Sequence, residues 1–217
     1  MTASRVDLDT APGIGDLAPT PFLDHGTLAI RAFVDRVTAG AEDSRERAVR
    51  LFEAVRDGIR YDPIDISLDP EQHRASAVLA GSQRWCVPKA VLLVAACRGA
   101  DIPARLGFSD VRNHLQPPGL AERMGTDLFV WHGYAVLWLD GAWRKASPAF
   151  NRELCARMGT AALDFDGRSD ALLHAFDGHG RRHMEYVQHR GNYRDLPLEA
   201  IRRTFTEVYG SVLRDGG

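Results

Sequence analysis

The sequence predicts a protein of mixed α and β structure, with its helices and its antiparallel strands in separate stretches of the chain. Apolar residues recur at helical spacing between Thr27 and Val37 and again between Asp43 and Ile59. The segment from Val87 to Arg98 is apolar on nearly every face, which is typical of a buried helix. The segment from Leu128 to Leu139 is rich in aromatic and β-branched residues, and Asp140-Gly141 after it indicates a tight hairpin turn.

The N-terminal part is expected to begin with a loop-like extension, residues 1–25, because prolines and glycines are frequent there. The first helix then covers Thr27 to Val37. The second begins at Asp43 or Ser44, which are both suitable N-cap residues, and Gly58 loosens its end. Each helix carries one apolar stripe, so both are expected to pack against a core.

The chain before the apolar segment is predicted to be mostly loop. Tyr61 to Pro70 contains prolines, Ser76 to Leu79 is long enough only for a short helix, and Gly81 to Cys86 is a loop. Pro88 suits only the first turn of the helix that follows, and Gly99 ends it. The cysteine that closes the loop is therefore expected at the mouth of a central buried helix.

Strands are predicted in the middle of the chain. Ala104 to Phe108 is a short strand, Leu128 to Leu139 is a longer one, and Ala142 to Ser147 returns beside it after the turn. Beyond Pro148 the sequence is mixed.

The last third of the chain is predicted to contain two helices and a turn. The helices are Arg152 to Met158 and a final one from about Leu198 to Leu213, and the acidic stretch Asp164 to Gly167 is read as the turn.

Composition limits the classes of function. The chain has 217 residues, a formal net charge of −2 and a pI near 6.4, so it has no basic surplus for nucleic acid or acidic lipid. No apolar run approaches the roughly 20 residues of a membrane span, and the N-terminus lacks the apolar stretch of a secretory signal. Three cysteines without close pairing fit a reducing compartment. We therefore expect a cytoplasmic protein that binds neither nucleic acid nor membrane.

Cys86 is the candidate nucleophile. A thiol reacts as its thiolate, and the free side chain has a pKa of about 8.5. The positive end of the helix and a nearby imidazole can both lower that pKa. Backbone N–H groups at the helix start can hold a developing oxyanion, joined by a side-chain donor such as Gln83 or Trp85. Cys97 and Cys155 lie on apolar or amphipathic helical segments and are expected only to pack.

His132 is the candidate partner of the cysteine, although a histidine among apolar strand residues is also compatible with a purely structural role. If Asp140-Gly141 is the two-residue turn, Leu139 lies opposite Ala142 and Tyr134 lies opposite Ser147. Ser147 is then diagonal to His132 on the same face, at roughly 7–8 Å between backbones. The register therefore predicts that Ser147 contacts the imidazole.

At this point four stretches of the chain resemble the transglutaminase-like superfamily, whose members are relatives of the papain-like cysteine proteases. The stretches cover residues 50 to 150, and their order and spacing carry the likeness. Leu51 to Tyr61 resembles the helix before the family's core, and Trp85-Cys86 with Lys89 to Arg105 resembles the cysteine helix and the turn after it. His132-Gly133-Tyr134 with Leu139 to Trp143 resembles the histidine strand and its hairpin. Ser147-Pro148 stands in the place of the family's Asp-Pro.

The resemblance implies an α+β fold with a transglutaminase/papain-like core. A central buried helix carrying Cys86 would pack on an antiparallel sheet carrying His132. It also implies acyl transfer through a thioester, performed by a cysteine, a histidine and an aspartate. On this basis residues 1–217 form a single domain, with the catalytic core at 26–150 and a C-terminal elaboration at 151–217.

The third catalytic residue departs from the family pattern, because Ser147 stands where the family has aspartate. A hydroxyl can orient an imidazole but contributes no charge to stabilise the imidazolium. Asn151 could supply the amide found in papain-like enzymes, and Asp110, Asp164 or Asp166 could supply a carboxylate. Ser147 could equally be only a turn residue before Pro148, so the sequence leaves the choice open.

Two further groups of polar residues are candidates. The segment Asp110 to His114, which includes Asn113, follows a strand where family loops border the cleft. It could contact substrate, brace the site, or be a solvated loop.

The second group is His179, His183, Glu185 and His189, whose spacing would suit a metal only on a helix, which Gly178 and Gly180 argue against. We expect neither a metal nor a cofactor.

The function expected is thiol-dependent acyl transfer or hydrolysis at an amide or thioester, through an acyl-enzyme on Cys86. From the chain's size we expect a small-molecule, peptide or carrier-bound acyl substrate, and the sequence does not indicate an oligomeric state. The alternative is a catalytically inactive transglutaminase-like binding or scaffold domain, which the missing aspartate favours.

Overall fold

The fold combines a five-stranded antiparallel sheet with helices packed against it. The structure is a computed structural model that describes residues 4–64, 66–116, 119, 122 and 124–210. The strands are β1 (Arg5–Val6), β2 (Arg60–Tyr61), β3 (Gln83–Arg84), β4 (Ala104–Asn113), β5 (Leu128–Leu139), β6 (Ala142–Ala146) and β7 (Met184–Tyr193). The α-helices are α1 (Leu28–Thr38), α2 (Ser44–Gly58), α3 (Ala75–Ala80), α4 (Cys86–Gly99), α5 (Arg152–Met158) and α6 (Leu198–Tyr209). Short 3-10 helices lie at Ile14–Asp16 and Pro70–His73.

The main sheet has the strand order β1-β7-β4-β5-β6, and each neighbouring pair is antiparallel. Strands β2 and β3 form a separate parallel pair. Strand β4 therefore lies at the centre of the main sheet, between β5 and β7.

Helix α4 is the centre of the core, as its apolar sequence predicts. Its residues from Cys86 to Arg98 are all buried, and it contacts α1, α2 and α3 as well as β4 and β5. The helix begins at Cys86, one residue earlier than expected, and Trp85 is its N-cap. The cysteine therefore lies in the first turn of α4, at the N-terminus, where the backbone N–H groups have no partner within the helix.

Lys89, a buried residue of α4, connects this helix to α2. Lys89 is fully buried, and its ammonium donates hydrogen bonds to the backbone carbonyls of Arg56, at 2.8 Å, and Ile59. These carbonyls lie at the C-terminal end of α2, where acceptors lack helical partners. Burial lowers the pKa of Lys89 to about 7. The lysine thus has a structural use that requires no part in chemistry.

The β5–β6 hairpin has the register that the Asp140-Gly141 turn predicts. Leu139 pairs with Ala142, and Trp138 pairs with Trp143. The ladder continues to Ala135 opposite Ala146, so the next residue, Ser147, leaves the strand beside the middle of β5.

The predicted helices are confirmed within one or two residues. Asp43 caps α2 by accepting a hydrogen bond from the backbone N–H of Glu46 at 2.7 Å. The segment after Pro148 forms α5 over the predicted residues. The final helix ends at Tyr209 within the described residues, and the predicted continuation to Leu213 lies outside them.

Two features of the sheet differ from the sequence prediction. Strand β4 continues to Asn113, so the segment from Asp110 is not a loop but the central strand of the sheet. Strand β7 was not predicted at all. Its exposure does not alternate regularly, and Gly191 has a φ of 110°, so the period-2 pattern that indicates a strand is lost.

The expectation of a loop-like extension over residues 1–25 is wrong in part. The segment adds β1 to the edge of the sheet, and its 3-10 helix buries Asp16 completely. The Asp16 carboxylate accepts two hydrogen bonds from Arg105, both at 2.8 Å, and one from Arg194 at 2.9 Å. These bonds hold the pKa of Asp16 well below its usual range, although burial opposes them. The pairing fixes the N-terminal segment against the sheet.

Within the described part of the chain, every helix is too short or too polar to cross a bilayer.

Candidate active site

Cys86 lies at the start of α4 with its sulfur almost completely enclosed. The residue is 7% exposed. The backbone N–H groups of Gly133, Val87 and Cys86 itself face the sulfur and favour its thiolate, but burial is the larger effect and raises the pKa of Cys86 to about 11. The donors at the helix start thus act in the expected direction, but burial outweighs them and the pKa of Cys86 is raised.

The strand that carries His132 meets the helix at this same point. A Cβ atom added to Gly133 would lie 3.0 Å from the Cα atom of Val87, so any larger residue would force β5 and the first turn of α4 apart by a few tenths of an ångström. The contact explains how the Gly133 N–H reaches the Cys86 sulfur. A glycine inside a predicted strand is the sequence feature that could have indicated this approach.

His132 contacts the residue that the hairpin register predicts. Its Nε2 atom lies 3.2 Å from the hydroxyl oxygen of Ser147, and both residues are buried. The backbone N–H of Ser147 donates to the carbonyl of Ala171 at 2.8 Å, which fixes the serine in place. Burial lowers the pKa of His132 to about 4, so the imidazole is neutral. The hydrogen bond at Nε2 leaves Nδ1 as the nitrogen available to a thiol.

Asn151 does not occupy the papain-like position in this structure. Its side-chain oxygen accepts a hydrogen bond from the backbone N–H of Tyr61 at 3.1 Å, and it is the N-cap residue of α5. Among the described residues, no hydrogen bond joins Asn151 to His132. The amide therefore connects α5 to β2, and the hydroxyl of Ser147 is the group at the far nitrogen of the imidazole.

The candidate carboxylates point to other partners. Asp164 pairs with Arg56 and Arg152 at 3.2 and 2.8 Å, and its side chain is mostly exposed. Asp166 is also exposed and accepts hydrogen bonds from two backbone N–H groups of its own turn, both at 2.8 Å. In the part of the chain that the structure describes, neither is hydrogen-bonded to His132.

Asp110 is buried and forms a brace beside the histidine. It accepts three hydrogen bonds from Arg190, at 2.6 to 3.0 Å, and one from the backbone N–H of Trp131 at 3.0 Å. Trp131 has a φ of 59°, which an L residue other than glycine rarely adopts. Asp110 therefore supports the bent backbone immediately before His132, which is one of the uses considered for this segment.

Asn113 lies in the cavity wall. Its side-chain oxygen accepts a hydrogen bond from the backbone N–H of Leu115 at 3.1 Å.

The two predicted oxyanion side chains differ in their surroundings. The side-chain amide of Gln83 donates a hydrogen bond to the carboxylate of Asp62 and accepts one from Arg60, both at 3.0 Å. These bonds hold the amide beside the paired strands β2 and β3. Trp85 is buried and lines the cavity, with its ring edge-on to His73. The donors that face the sulfur are backbone N–H groups.

Cys86 and His132 line one cavity of about 230 Å³. Most of its other described walls are aromatic or aliphatic, and the aromatic residues are Tyr61, Trp85, Phe129, Phe150, Phe205 and Tyr209. Several of these lie on elements that the sequence did not connect with the cysteine, because they come from β2, α6 and the chain before α5. The arrangement brings a thiol, a neutral imidazole and an apolar chamber together.

The other two cysteines are separate from this cavity. Cys97 is fully buried within α4 and Cys155 is buried on α5, and both are free thiols. Among the residues that the structure describes, no three histidine, cysteine or acidic side chains are grouped so that they could hold a metal ion. Glu185 instead pairs with His114 at 2.9 Å and with Arg182 at 2.7 Å.

Solved structures are similar to part of this chain. A candidate cysteine protease from Cytophaga hutchinsonii is similar with a TM-score of 0.50 and 16% identity, over 63% of this chain and 41% of that one. A candidate protease from Parabacteroides distasonis aligns with a TM-score of 0.40 and 17% identity, over 54% of this chain and 22% of that one. The chain thus spans less than half the length of either protein. A comparison with curated proteins finds no significant match.

A family model described as the transglutaminase-like superfamily matches residues 31–148, which are more than half of the chain. The matched region contains α4, β4 and β5, and so includes both Cys86 and His132. With its cysteine helix packed on an antiparallel sheet, the chain belongs to the transglutaminase-like superfamily.

Proposed function

We propose that this protein catalyses thiol-dependent acyl transfer or hydrolysis at an amide or thioester through an acyl-enzyme on Cys86. The observation that carries the proposal is the close approach of β5 to the start of α4, which brings Cys86 and His132 to the same cavity. The acyl donor is a small molecule, a peptide or a carrier-bound acyl group.

The proposed reaction begins with a neutral thiol and a neutral imidazole. As the Cys86 sulfur attacks the acyl carbonyl carbon, His132 takes the thiol proton and the carbonyl oxygen becomes an oxyanion. Backbone N–H groups at the start of α4 and at Gly133, which interact with the Cys86 sulfur in the resting site, are the proposed donors to this charge. The tetrahedral intermediate collapses, the bond to the leaving group breaks, and the imidazolium gives its proton to the departing amine or thiolate.

The same two groups then transfer the acyl group from Cys86 to an acceptor. His132 removes a proton from the acceptor, the acceptor attacks the thioester carbonyl, and the proton passes to the Cys86 sulfur as it leaves. Water as acceptor releases a carboxylic acid, and an amine as acceptor releases an amide. Analysis of the products with and without added amine separates the two outcomes.

The direct test is to trap the acyl-enzyme. Wild-type protein is mixed with short acyl thioesters and its intact mass is measured, and peptide mapping locates the added acyl group. The expected adduct is on Cys86, is absent from Cys86→Ala, and is retained in the matched control Cys155→Ala. The alanine variant should fold, because the sulfur it loses is small. Turnover that survives Cys86→Ala would place the nucleophile elsewhere and end the proposal.

A second function, a catalytically inactive binding domain, is favoured by one set of observations. Burial raises the pKa of Cys86 and lowers that of His132, and Ser147 contributes no charge that would favour a thiolate–imidazolium pair. In a binding domain the reactivity of the Cys86 thiol toward iodoacetamide should not depend on the imidazole. The rates for wild type and His132→Ala would then agree, and no acyl-enzyme would form.

A further inference from the structure

We propose that the cavity beside Cys86 receives the acyl group of the donor and that this acyl group is uncharged and apolar. The inference rests on the proposed acyl transfer and adds the class of substrate. It follows from the chemistry of the cavity walls, since the reacting thiol and imidazole belong to the same walls.

The described lining of the cavity offers no counterion to a charged acyl group. Among its lining residues in the described part of the chain, there is no aspartate, glutamate, lysine or arginine. Its few polar side chains are already used in part. The Tyr209 hydroxyl donates to the carbonyl of Leu128 at 3.0 Å and accepts from the N–H of Val130 at 2.8 Å, and Asn113 is bonded to Leu115. A charged group that entered would lose its hydration without a counterion.

The remaining walls suit hydrocarbon of variable shape. Three of the chain's four methionines line the cavity, namely Met124, Met158 and Met184. A methionine side chain is flexible and polarisable, so it adapts to ligands of different outline. The aromatic walls supply rigid apolar surface at the same time. This combination predicts tolerance of chain length and branching together with rejection of charge.

The most exposed of the described lining residues is on helix α5. Leu154 and Met158 are one turn apart on this helix and both line the cavity, and Met158 is 39% exposed. Ala156 is exposed on the same helix and does not belong to the lining. Lysine at position 158 would therefore add a cation at the cavity, whereas lysine at position 156 adds the same charge outside it.

The test uses N-acetylcysteamine thioesters with acyl groups from acetyl to decanoyl, together with succinyl, which has the same number of acyl carbons as butyryl. The rate constant kcat/KM for acylation is measured by release of the thiol and by the mass of the Cys86 adduct. We expect it to rise about fourfold per methylene until the chain fills the cavity. The value of kcat/KM for the succinyl thioester should be lower than that for the butyryl thioester by a factor of about a hundred or more.

Two lysine variants then test whether the preference for an uncharged acyl group arises in this cavity. Met158→Lys should raise the succinyl-to-butyryl ratio by about fivefold, since an ion pair at a partly exposed site is weak. Ala156→Lys should leave that ratio at its wild-type value.

Four results would overturn the inference. A flat chain-length series, or a preference for succinyl in the wild type, would reject the substrate class while the acyl-enzyme itself upholds the proposed function. Equal effects of the two lysine variants would show that this cavity does not hold the acyl group. Failure of every thioester in the series to acylate Cys86 would reject the proposed function, and the inference with it.

Discussion

His132 is hydrogen-bonded through Nε2 to a neutral group, the hydroxyl of Ser147. The contact is only 3.2 Å long and is buried, so it can hold the imidazole in one orientation and one tautomer. It adds no negative charge, and burial therefore lowers the pKa of His132 to about 4 without opposition from a nearby anion. The histidine should act as a neutral base, and the hydroxyl should act on its orientation alone.

Replacing Ser147 by alanine tests that role. A neutral hydrogen bond contributes roughly 1 kcal/mol, so we expect Ser147→Ala to lower kcat/KM by about fivefold. His132→Ala removes the base itself and should lower it much further. Steady-state kinetics on the two variants and the wild type provide the comparison. An unchanged rate in Ser147→Ala would mean that the serine only ends the strand before Pro148.

The pH profile reports the charge state of the same pair. His132 must be unprotonated to accept the thiol proton, and its folded pKa is about 4. The value of kcat/KM should therefore be nearly constant between about pH 8 and pH 6 and should fall only as the pH approaches 4. Initial rates are compared at pH values where circular dichroism shows folded protein.

Ser147→Asp is the matched variant for this profile, because an adjacent carboxylate favours the imidazolium. It should move the acid limb to higher pH. A wild-type acid limb already near pH 6.5 would contradict the neutral pair.

At the scale of elements, the site depends on a local irregularity where β4 and β5 pair. The register shifts between Ser109 and Val111, so Asp110 is displaced from regular pairing. Its carboxylate reaches the backbone N–H of Trp131, whose positive φ turns β5 immediately before the histidine. Bulges of this kind commonly re-aim a side chain beside a functional site. Asp110 is thus a positioning residue that acts through the strand.

Asp110→Ala should therefore slow the reaction although the residue is outside the cavity lining. It leaves the Trp131 N–H without its acceptor and releases Arg190, whose guanidinium also lies 5.6 Å from the Trp131 ring. We expect kcat to fall by about tenfold or more with little change in KM, because the imidazole loses its orientation while the apolar walls remain.

Asp110→Asn is the conservative control, since its amide oxygen can still accept from the Trp131 N–H. It should recover most of the rate. Equal losses of rate and of melting temperature in both variants would point to a general role in folding.

The same elements show what the sequence could and could not predict. The α4 helix and the β5–β6 register follow from local rules, namely an all-apolar helix and a two-residue turn, and the register alone correctly predicted the contact between Ser147 and His132. The charged residues after Phe108 looked like a loop because their partners are distant in sequence. Asp110 is stable inside the sheet only when Arg190 of β7 is beside it, and a strand pairing across 80 positions has no local signature.

At the scale of the whole molecule, the fold buries several histidines in their neutral form. Burial is the main cause that lowers the pKa values of His73, His132 and His183, which are buried. Partial desolvation also lowers the pKa values of His25, which is partly buried, and of His189, which is exposed. In the unfolded chain each would titrate near 6.5. Between that value and the lower folded value, the unfolded state binds more protons, so a fall in pH favours unfolding. The contribution of these neutral histidines to the free energy of unfolding is fully present above about pH 6.5 and is lost progressively as the pH falls below that value.

This linkage predicts a stability profile that can be measured by urea unfolding at pH 7, 6 and 5. For His132, whose pKa falls from 6.5 to about 4 on folding, the free energy of unfolding should decrease by about 2 kcal/mol between pH 7 and pH 5. The other four histidines should increase the loss. His132→Gln should be less sensitive to pH over this range, whereas the exposed control His179→Gln should retain the wild-type slope. A free energy that stays constant from pH 7 to pH 5 would mean that these histidines are hydrated in the native protein, and His132 could then no longer be treated as the neutral base of the site.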